Sequence, residues 1–356
     1  MTAKNRVLVA LSGGVDSSVS AALLQEQGYE VEGAFIKTWT VPWLPCTWRE
    51  ERRDAMRVAA TLHIPFHTID LSHEYEKNVV EYLIAEYREG RTPNPDVMCN
   101  KYIKFGGFFD WAMEHGFEYV ATGHYARITK ADEYAPYLLR KGVDTNKDQT
   151  YFLWTLTQKH LAHTLFPVGS FEKPHVRELA QKYNLPTATK KDSQGICFLG
   201  KVNMKEFLSH YIESKQGEVL NTEGDIIGIH DGAVFVTLGQ RHGFTLYQTS
   251  PSSPPLYVID KDIVSNTVTV APEFLTKEGG GKEMILKDMN WISGKPPIEC
   301  EARLRYRQPL FPVTVQNCKE TQCTVIPLTP QSFIQAGQSV VLYQGEVCLG
   351  GGIILG

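Results

Sequence analysis

Short apolar runs alternate with longer stretches of helical period through the first part of the chain. Residues 7–11 (Val-Leu-Val-Ala-Leu), 31–36, 66–71 and 119–122 read as strands bounded by polar or turn-forming positions. Helical spacing occupies 19–27, 50–62, 74–87 and 105–115, and returns at 174–183 and 202–213. Gly28 is a natural stop for the first helix. This alternation predicts a parallel sheet wrapped by helices. After about residue 215 the pattern shortens to β-type runs at 218–229, 233–238, 256–259 and 267–270, separated by Gly, Asp and Asn. Gly279-Gly280-Gly281, set between charged residues, reads as a linker. Beyond it, 301–307, 312–316, 323–327, 339–343 and 351–355 read as closely spaced strands, the pattern of a small closed β-barrel. The expected plan is an α/β domain with a Rossmann-like parallel sheet over 1–214, a central β-rich domain over 215–275 and a C-terminal β-barrel over 276–356.

Composition changes this picture little. The chain has 356 residues, 42% hydrophobic and 21% charged, which suits an ordinary folded protein of two or three domains. No apolar run approaches the ~20 residues of a membrane span, and the first strand follows the N-terminus too closely for a signal peptide. A cytosolic protein is therefore expected. Net charge is −4, so any nucleic-acid binding has to rest on local patches. The seven cysteines include no Cys-x-x-Cys pair, which argues against zinc ribbons and iron–sulfur ligation. In a reducing compartment each is by default a small buried hydrophobe.

Chemistry enters directly after the first strand, at Ser12-Gly13-Gly14-Val15-Asp16-Ser17-Ser18. A strand, a tight glycine turn and a helix start make an anion site: the glycines let backbone approach a phosphate, and first-turn N–H groups point at it. Asp16 beside phosphates calls for a cation between them, so it is expected to face Mg²⁺. The run is neither a Walker loop nor Gly-x-Gly-x-x-Gly. It resembles the pyrophosphate-binding loop of the ATP pyrophosphatases, which adenylate a substrate. The plain alternative is a polar turn with no ligand.

Two cysteines have unusual neighbours. Cys99 lies in Arg91-Thr-Pro-Asn-Pro-Asp-Val-Met-Cys-Asn-Lys101, where two prolines predict a shaped loop rather than helix or central strand. Cys197 lies in Lys190-Lys-Asp-Ser-Gln-Gly-Ile-Cys197, where Lys190, Lys191 and Gly195 favour a thiolate. Taken alone, each could be a buried structural cysteine. Arg303, Arg305 and Arg307 alternate along 301–307 with Tyr306 between the last two; three like charges on one strand face suit phosphate binding, or else a solvated barrel edge.

The Ser12–Ser18 run, Gly90–Asp96 with Cys99-Asn-Lys101, Ala121-Thr-Gly-His-Tyr125, Lys147-Asp-Gln149, Asp192–Cys197 and Gly345–Gly352 occur in one order. That order resembles the tRNA-specific 2-thiouridylases of the ATP-pyrophosphatase (PP-loop) superfamily, from residue 5 to the C-terminus. The resemblance implies ATP-dependent replacement of the C2 oxygen of the wobble uridine in glutamate, glutamine and lysine tRNAs. Adenylation would turn a poor leaving oxygen into part of AMP. It further implies that Ala10, Leu11, Ser12, Gly13, Gly14, Val15, Asp16 and Ser17 hold the ATP phosphates, with Ile36 and Gly123 on the adenosine side. Cys197 would carry a persulfide received from a donor protein, and Cys99 would release its terminal sulfur, leaving a Cys99–Cys197 disulfide. Asp96 would transfer a proton or hold the base. Contacts to tRNA would come from Asn94, Pro95, Asp96, His124, Lys147, Asp148, Gln149, Arg305, Tyr306 and Gln338. No second copy of the chain is called for, and a monomer is expected.

The segment Trp39–Trp48, aromatic and apolar where relatives carry acidic residues, departs from this pattern. It could pack over the ATP site or form a lid, and Cys46 in it has no implied role. Two other readings compete. An amine-adding synthetase of the same superfamily needs no paired cysteines. A non-catalytic tRNA-binding protein would not turn ATP into AMP.

Overall fold

The computed structural model describes residues 5–43, 48–192, 197, 203–248, 254–272, 283–294 and 297–355. The first strand, Arg6–Ala10, is central in a five-stranded parallel sheet, and its Val7, Leu8 and Val9 are wholly buried. A strand covered on both faces needs a continuous apolar run, which is what its sequence supplies. The order across the sheet is Phe66–Asp70, Glu30–Lys37, Arg6–Ala10, Tyr119–Ala121, Thr164–Leu165. The chain moves outward on one side of Arg6–Ala10, then returns to begin the other side at Tyr119–Ala121. This reversal opens a crevice at the carboxyl ends of those two neighbouring strands, the place where such sheets bind ligands.

Helices cover both faces. Val15–Glu26 is buried from Ser17 to Leu24, beneath the amphipathic Trp48–Leu62, which turns Ala55, Val58, Ala59 and Leu62 inward. Residues 72–88 run as one helix, close to the expected 74–87. The stretch containing two prolines corrects the sequence reading. It is no loop after Asn94: Pro95–Cys99 is the first turn of a helix that continues through wider turns as far as Gly106, whose non-helical φ −109° and ψ −106° kink the chain before the helix Phe108–Glu114. Pro95 occupies the first turn, where a missing N–H costs nothing, and the Asn94 side chain caps it by accepting from the N–H groups of Asp96 and Val97.

Residues 217–272 form a second sheet, in the order Phe244–Leu246, Ile226–His230, Gly217–Leu220, Thr267–Pro272, Leu256–Asp262. The expected strand over 233–238 is instead a single helical turn, Ala233–Phe235, leading into an irregular segment. The Gly279–Gly281 linker lies outside the described residues.

The C-terminal strands close into a six-stranded antiparallel barrel. Its ring runs Met284–Trp291, Cys323–Pro327, Phe311–Gln316, Glu299–Arg303, Ser339–Gln344 and Val347–Ile354, and the last strand pairs back onto the first. The expected strand over 301–307 is corrected here. It ends at Arg303; Leu304 to Arg307 form a turn in which Arg307 has φ 65° and Gln308 Oε1 accepts from the N–H groups of Leu304 and Arg305. The three arginines therefore share no strand face. Cys318 and Cys323 are joined by a disulfide at this barrel's edge, against the expectation of free thiols.

A hairpin from the α/β part, Ala126–Thr129 and Leu138–Lys141, continues the barrel's sheet, with Leu139 paired to Cys348 and Arg140 to Val347. The seam is reinforced by buried side chains. Trp154 Nε1 donates to Ser339 Oγ at 3.1 Å, Tyr151 OH to the Leu304 carbonyl at 2.8 Å, and Asn290 Nδ2 to the carbonyls of Trp154 and Leu156 at 2.7 and 2.9 Å. Replacing Asn290 by Leu leaves those two carbonyls without their donor. The expected loss is about 1–3 kcal/mol, read as a lower urea midpoint with an unchanged slope.

Candidate active site

The crevice is a cavity of about 520 Å³. At its floor the turn after the first strand delivers Ser12, Gly14, Val15, Asp16 and Ser17; Ala10, Leu11 and Ile36 line the adjoining wall. The helix Val15–Glu26 begins there with Gly14 at its N-cap, a residue with no side chain to cap the first N–H groups, so those donors and the positive end of the helix face the cavity. Gly13 adopts φ 71°, and its carbonyl accepts from Lys190 Nζ at 2.9 Å. Ser17 and Ser18 turn their hydroxyls back to the Gly14 carbonyl, and Ser12 Oγ lies 3.2 Å from Ser17 Oγ. Across the crevice Gly123 sits so close that a Cβ there would lie 2.7 Å from the Ser17 nitrogen, so only glycine lets the two turns approach.

Asp16 has a different environment from the one expected. Its Oδ1 accepts from Lys173 Nζ at 2.6 Å and from Tyr125 OH at 2.8 Å. Lys173 also pairs with Asp192 at 2.9 Å, and Asp192 takes Lys147 and Arg177, each at 2.7 Å. The cation this chain places on Asp16 is thus an ammonium. Among the described residues, no three His, Cys, Asp or Glu side chains gather into a metal site.

At the other end stand the two cysteines. Cys99, on the helix begun by Pro95, is fully buried, and its thiol interacts with that of Cys197. Cys197 is fixed through its backbone: its N–H donates to Asp96 Oδ1 at 2.8 Å, and its carbonyl accepts from Tyr75 OH at 2.8 Å. The Cys99 thiol donates to Cys197, which holds the latter down to about 7, with Lys104 adding to the effect against burial. Burial, reinforced by the Cys197 bond, pushes Cys99 well above the usual thiol range. Burial raises Asp96, although the Cys197 N–H and Lys104 oppose it. The lysine beside Cys197 is therefore Lys104, whereas Lys190 is engaged by Gly13 and by Asp54 at 2.7 Å.

The other expected contacts divide. His124, Lys147, Gln149 and Tyr306 line the same cavity as Asp96 and Cys197. Asn94 and Pro95 build the helix start behind Asp96. Asp148 is buried away from the cavity: its carboxylate accepts from Thr150 Oγ1 at 2.8 Å and pairs with Arg303 at 3.3 Å, so it supports the turn rather than facing a ligand. Arg305 and Gln338 line a separate cleft of about 300 Å³, between the barrel and residues 237–242. Of the Trp39–Trp48 segment, Trp39 and Trp43 pack on Phe207, and Trp43 stacks on His210 at 3.6 Å. Cys46 lies outside the described residues.

Asp192 gives the site a measurable acid limit. Despite burial, its bonds to Lys147 and Lys173 hold it at about 2. A depressed carboxylate stabilises the fold above its unfolded pKa, about 4, and loses that contribution as pH falls toward 2. The difference in melting temperature between the wild type and Asp192→Asn is expected to be full at pH 7 and to close between about pH 4 and 2.

Three family models match along the chain: a tRNA methyl transferase HUP domain over residues 5–201, a tRNA methyl transferase PRC-barrel domain over 205–272 and an aminomethyltransferase beta-barrel domain over 281–354. The chain is 45% identical to the tRNA-specific 2-thiouridylase MnmA of Enterococcus faecalis, across 99% of this chain and 95% of that protein. Proteins of the same name from Streptococcus thermophilus and Pasteurella multocida are 46% and 44% identical, across 99% of this chain and 95% and 93% of theirs. No helix among the described residues is long and apolar enough to cross a membrane.

Proposed function

The chain belongs to the tRNA-specific 2-thiouridylase family, and we propose that it uses ATP to replace the C2 oxygen of the wobble uridine of tRNA by sulfur. One observation carries this reading: two interacting cysteines stand at one end of a cavity whose other end is a helix N-terminus behind a glycine turn. The family models carry methyl transfer in their descriptions, but paired thiols suit sulfur chemistry.

The uracil C2 oxygen attacks the α-phosphate of ATP, pyrophosphate leaves, and the oxygen becomes part of AMP. The first-turn N–H groups and the hydroxyls of Ser12 and Ser17 receive the phosphates, with Lys173 close behind Asp16. A base within an anticodon stack must be extruded to reach this depth. Tyr306 and Phe152, 4.8 Å apart at the cavity, offer aromatic faces for it, with His124, Lys147 and Gln149 as polar contacts. Arg305 and Gln338 meet the RNA in the neighbouring cleft.

Sulfur arrives from a donor protein as a persulfide on Cys197, the thiol that is ionised near neutrality. Cys99 attacks the inner sulfur, its proton passing to Asp96 one turn earlier on the same helix. A Cys99–Cys197 bond forms, the persulfide bond breaks, and hydrosulfide leaves with the electron pair. Hydrosulfide adds to C2 and AMP departs. The two thiols are oxidised and the transferred sulfur is reduced, so a thiol reductant must reset the enzyme.

The Cys197→Ser and Cys99→Ser proteins are expected to form AMP from ATP in the presence of tRNA, yet to yield less than about a thousandth of the wild-type rate of thiolated uridine, as for loss of a covalent nucleophile. Nucleoside mass spectrometry with an AMP assay reads both. Thiolation at the wild-type rate by either variant overturns the sulfur relay and favours an amine-adding synthetase.

A further inference from the structure

Lys104 has no place in the chemistry derived so far, yet it is half-buried in the cavity wall that Cys197, Asp96 and His124 also line. It lies five residues beyond Cys99 on the helix that Pro95 begins. Its ammonium shares one end of the cavity with Cys197, with which it interacts favourably, and lies 3.3 Å from His124 Nε2. His124 Nδ1 is 2.6 Å from Thr122 Oγ1. Because the ammonium can only donate, Nε2 must accept, so the imidazole carries its proton on Nδ1 and donates that N–H to the Thr122 hydroxyl.

The charges around this point define what the lysine is for. Among the described residues, these come from the helix of Lys104 itself (Asp96 and Cys99), from Cys197 facing it, from His124 in the turn after the fourth strand, and from Tyr75 in the helix over 72–88. Burial opposes a charge on Lys104, but Cys197, Cys99 and Asp96 outweigh it and push its pKa up. Burial, then Lys104, drives His124 well below the ordinary histidine range, leaving it neutral. One half-buried cation thus stands among Cys197, Cys99 and Asp96. An ammonium in that position is a compact charge, suited to an anion that changes size and place.

We propose that Lys104 is the sulfur-handling cation of this site: its ammonium keeps Cys197 as the thiolate that accepts sulfur, and neutralises the hydrosulfide that Cys99 expels. The second half of this role rests on the sulfur relay proposed above; the first half does not. On sulfur receipt, the Cys197 thiolate attacks the donor's persulfide, forms a bond to its terminal sulfur and displaces the donor thiolate. On release, the electron pair of the broken persulfide bond goes to the terminal sulfur beside the same ammonium. His124 positions Lys104 by accepting one of its three N–H donors, and Thr122 fixes the tautomer that can do so.

The test is the pH dependence of Cys197 alkylation by iodoacetamide, followed by mass spectrometry of its peptide in the full-length protein without ATP or tRNA. Wild type is expected to show a midpoint of about 7. Lys104→Met is expected to move the midpoint up by about one to two pH units, which cuts alkylation at pH 7 about fivefold or more. Lys104→Arg, which keeps the charge, is expected to restore most of the shift. Circular dichroism and thermal melting check the fold, and Lys104→Gln serves if the Met protein does not fold. An unchanged midpoint in a folded Met or Gln variant overturns the proposal. A shifted midpoint together with thiolation by the Cys99→Ser protein keeps the thiolate role and removes the relay. An intact relay with no shift removes Lys104 and keeps the function.

Discussion

The hydrogen bond from the Cys197 N–H to Asp96 Oδ1 spans 101 residues of chain at 2.8 Å. Asp96 sits in the first turn of a helix that also carries Cys99 and Lys104, so this one contact brings two thiols and a cation to the same end of the cavity. Tyr75 OH closes the other side of Cys197 by donating to its carbonyl, so the backbone of this residue is held at both polar groups. The helix itself depends on Asn94 and Pro95 for its start. Residues expected to meet RNA therefore first serve to aim the carboxylate.

The second constraint is the seam between the parallel sheet and the barrel. A loose linker would let an RNA surface on the barrel drift from a site on the sheet. Here the hairpin over 126–141 continues the barrel's own sheet, and Gly337 and Gln338 meet Thr92, two residues ahead of the helix cap, where Gln338 Nε2 donates to the Thr92 carbonyl at 3.0 Å. Tyr306 reaches the cavity from the barrel because its strand stops at Arg303 and turns. Positioning within fractions of an ångström is what converts bound groups into reacting ones.

Local signals made the fold legible. Strands at Arg6–Ala10 and Glu30–Lys37, and the glycine turn after the first, are written in contiguous apolar and turn-forming residues. Resemblance, not spacing, joined Cys99 to Cys197, since 98 positions of separation say nothing about contact. Among the readings that failed, three show the physical reason most plainly. Prolines were taken as helix breakers where Pro95 begins a helix. Three arginines in alternation implied a strand, but Arg303 turns inward to Asp148 and the chain leaves the sheet. Proximity in sequence put Lys190 beside Cys197, while the fold gave it to the Gly13 carbonyl and Asp54. Lys104 and Lys173 went unseen because every partner that defines them comes from distant chain or lies across a helix turn. The helix spacing of Lys104 relative to Cys99 was the one available clue.

The central claim is that sulfur reaches the uridine at the expense of the Cys99 and Cys197 thiols. Its most direct measurement is a single turnover of persulfide-loaded protein with tRNA and ATP in the absence of reductant, followed by alkylation and peptide mapping. The account predicts one Cys99–Cys197 disulfide for each thiolated uridine formed. Thiolated uridine accumulating while both cysteines remain open to alkylation would contradict it.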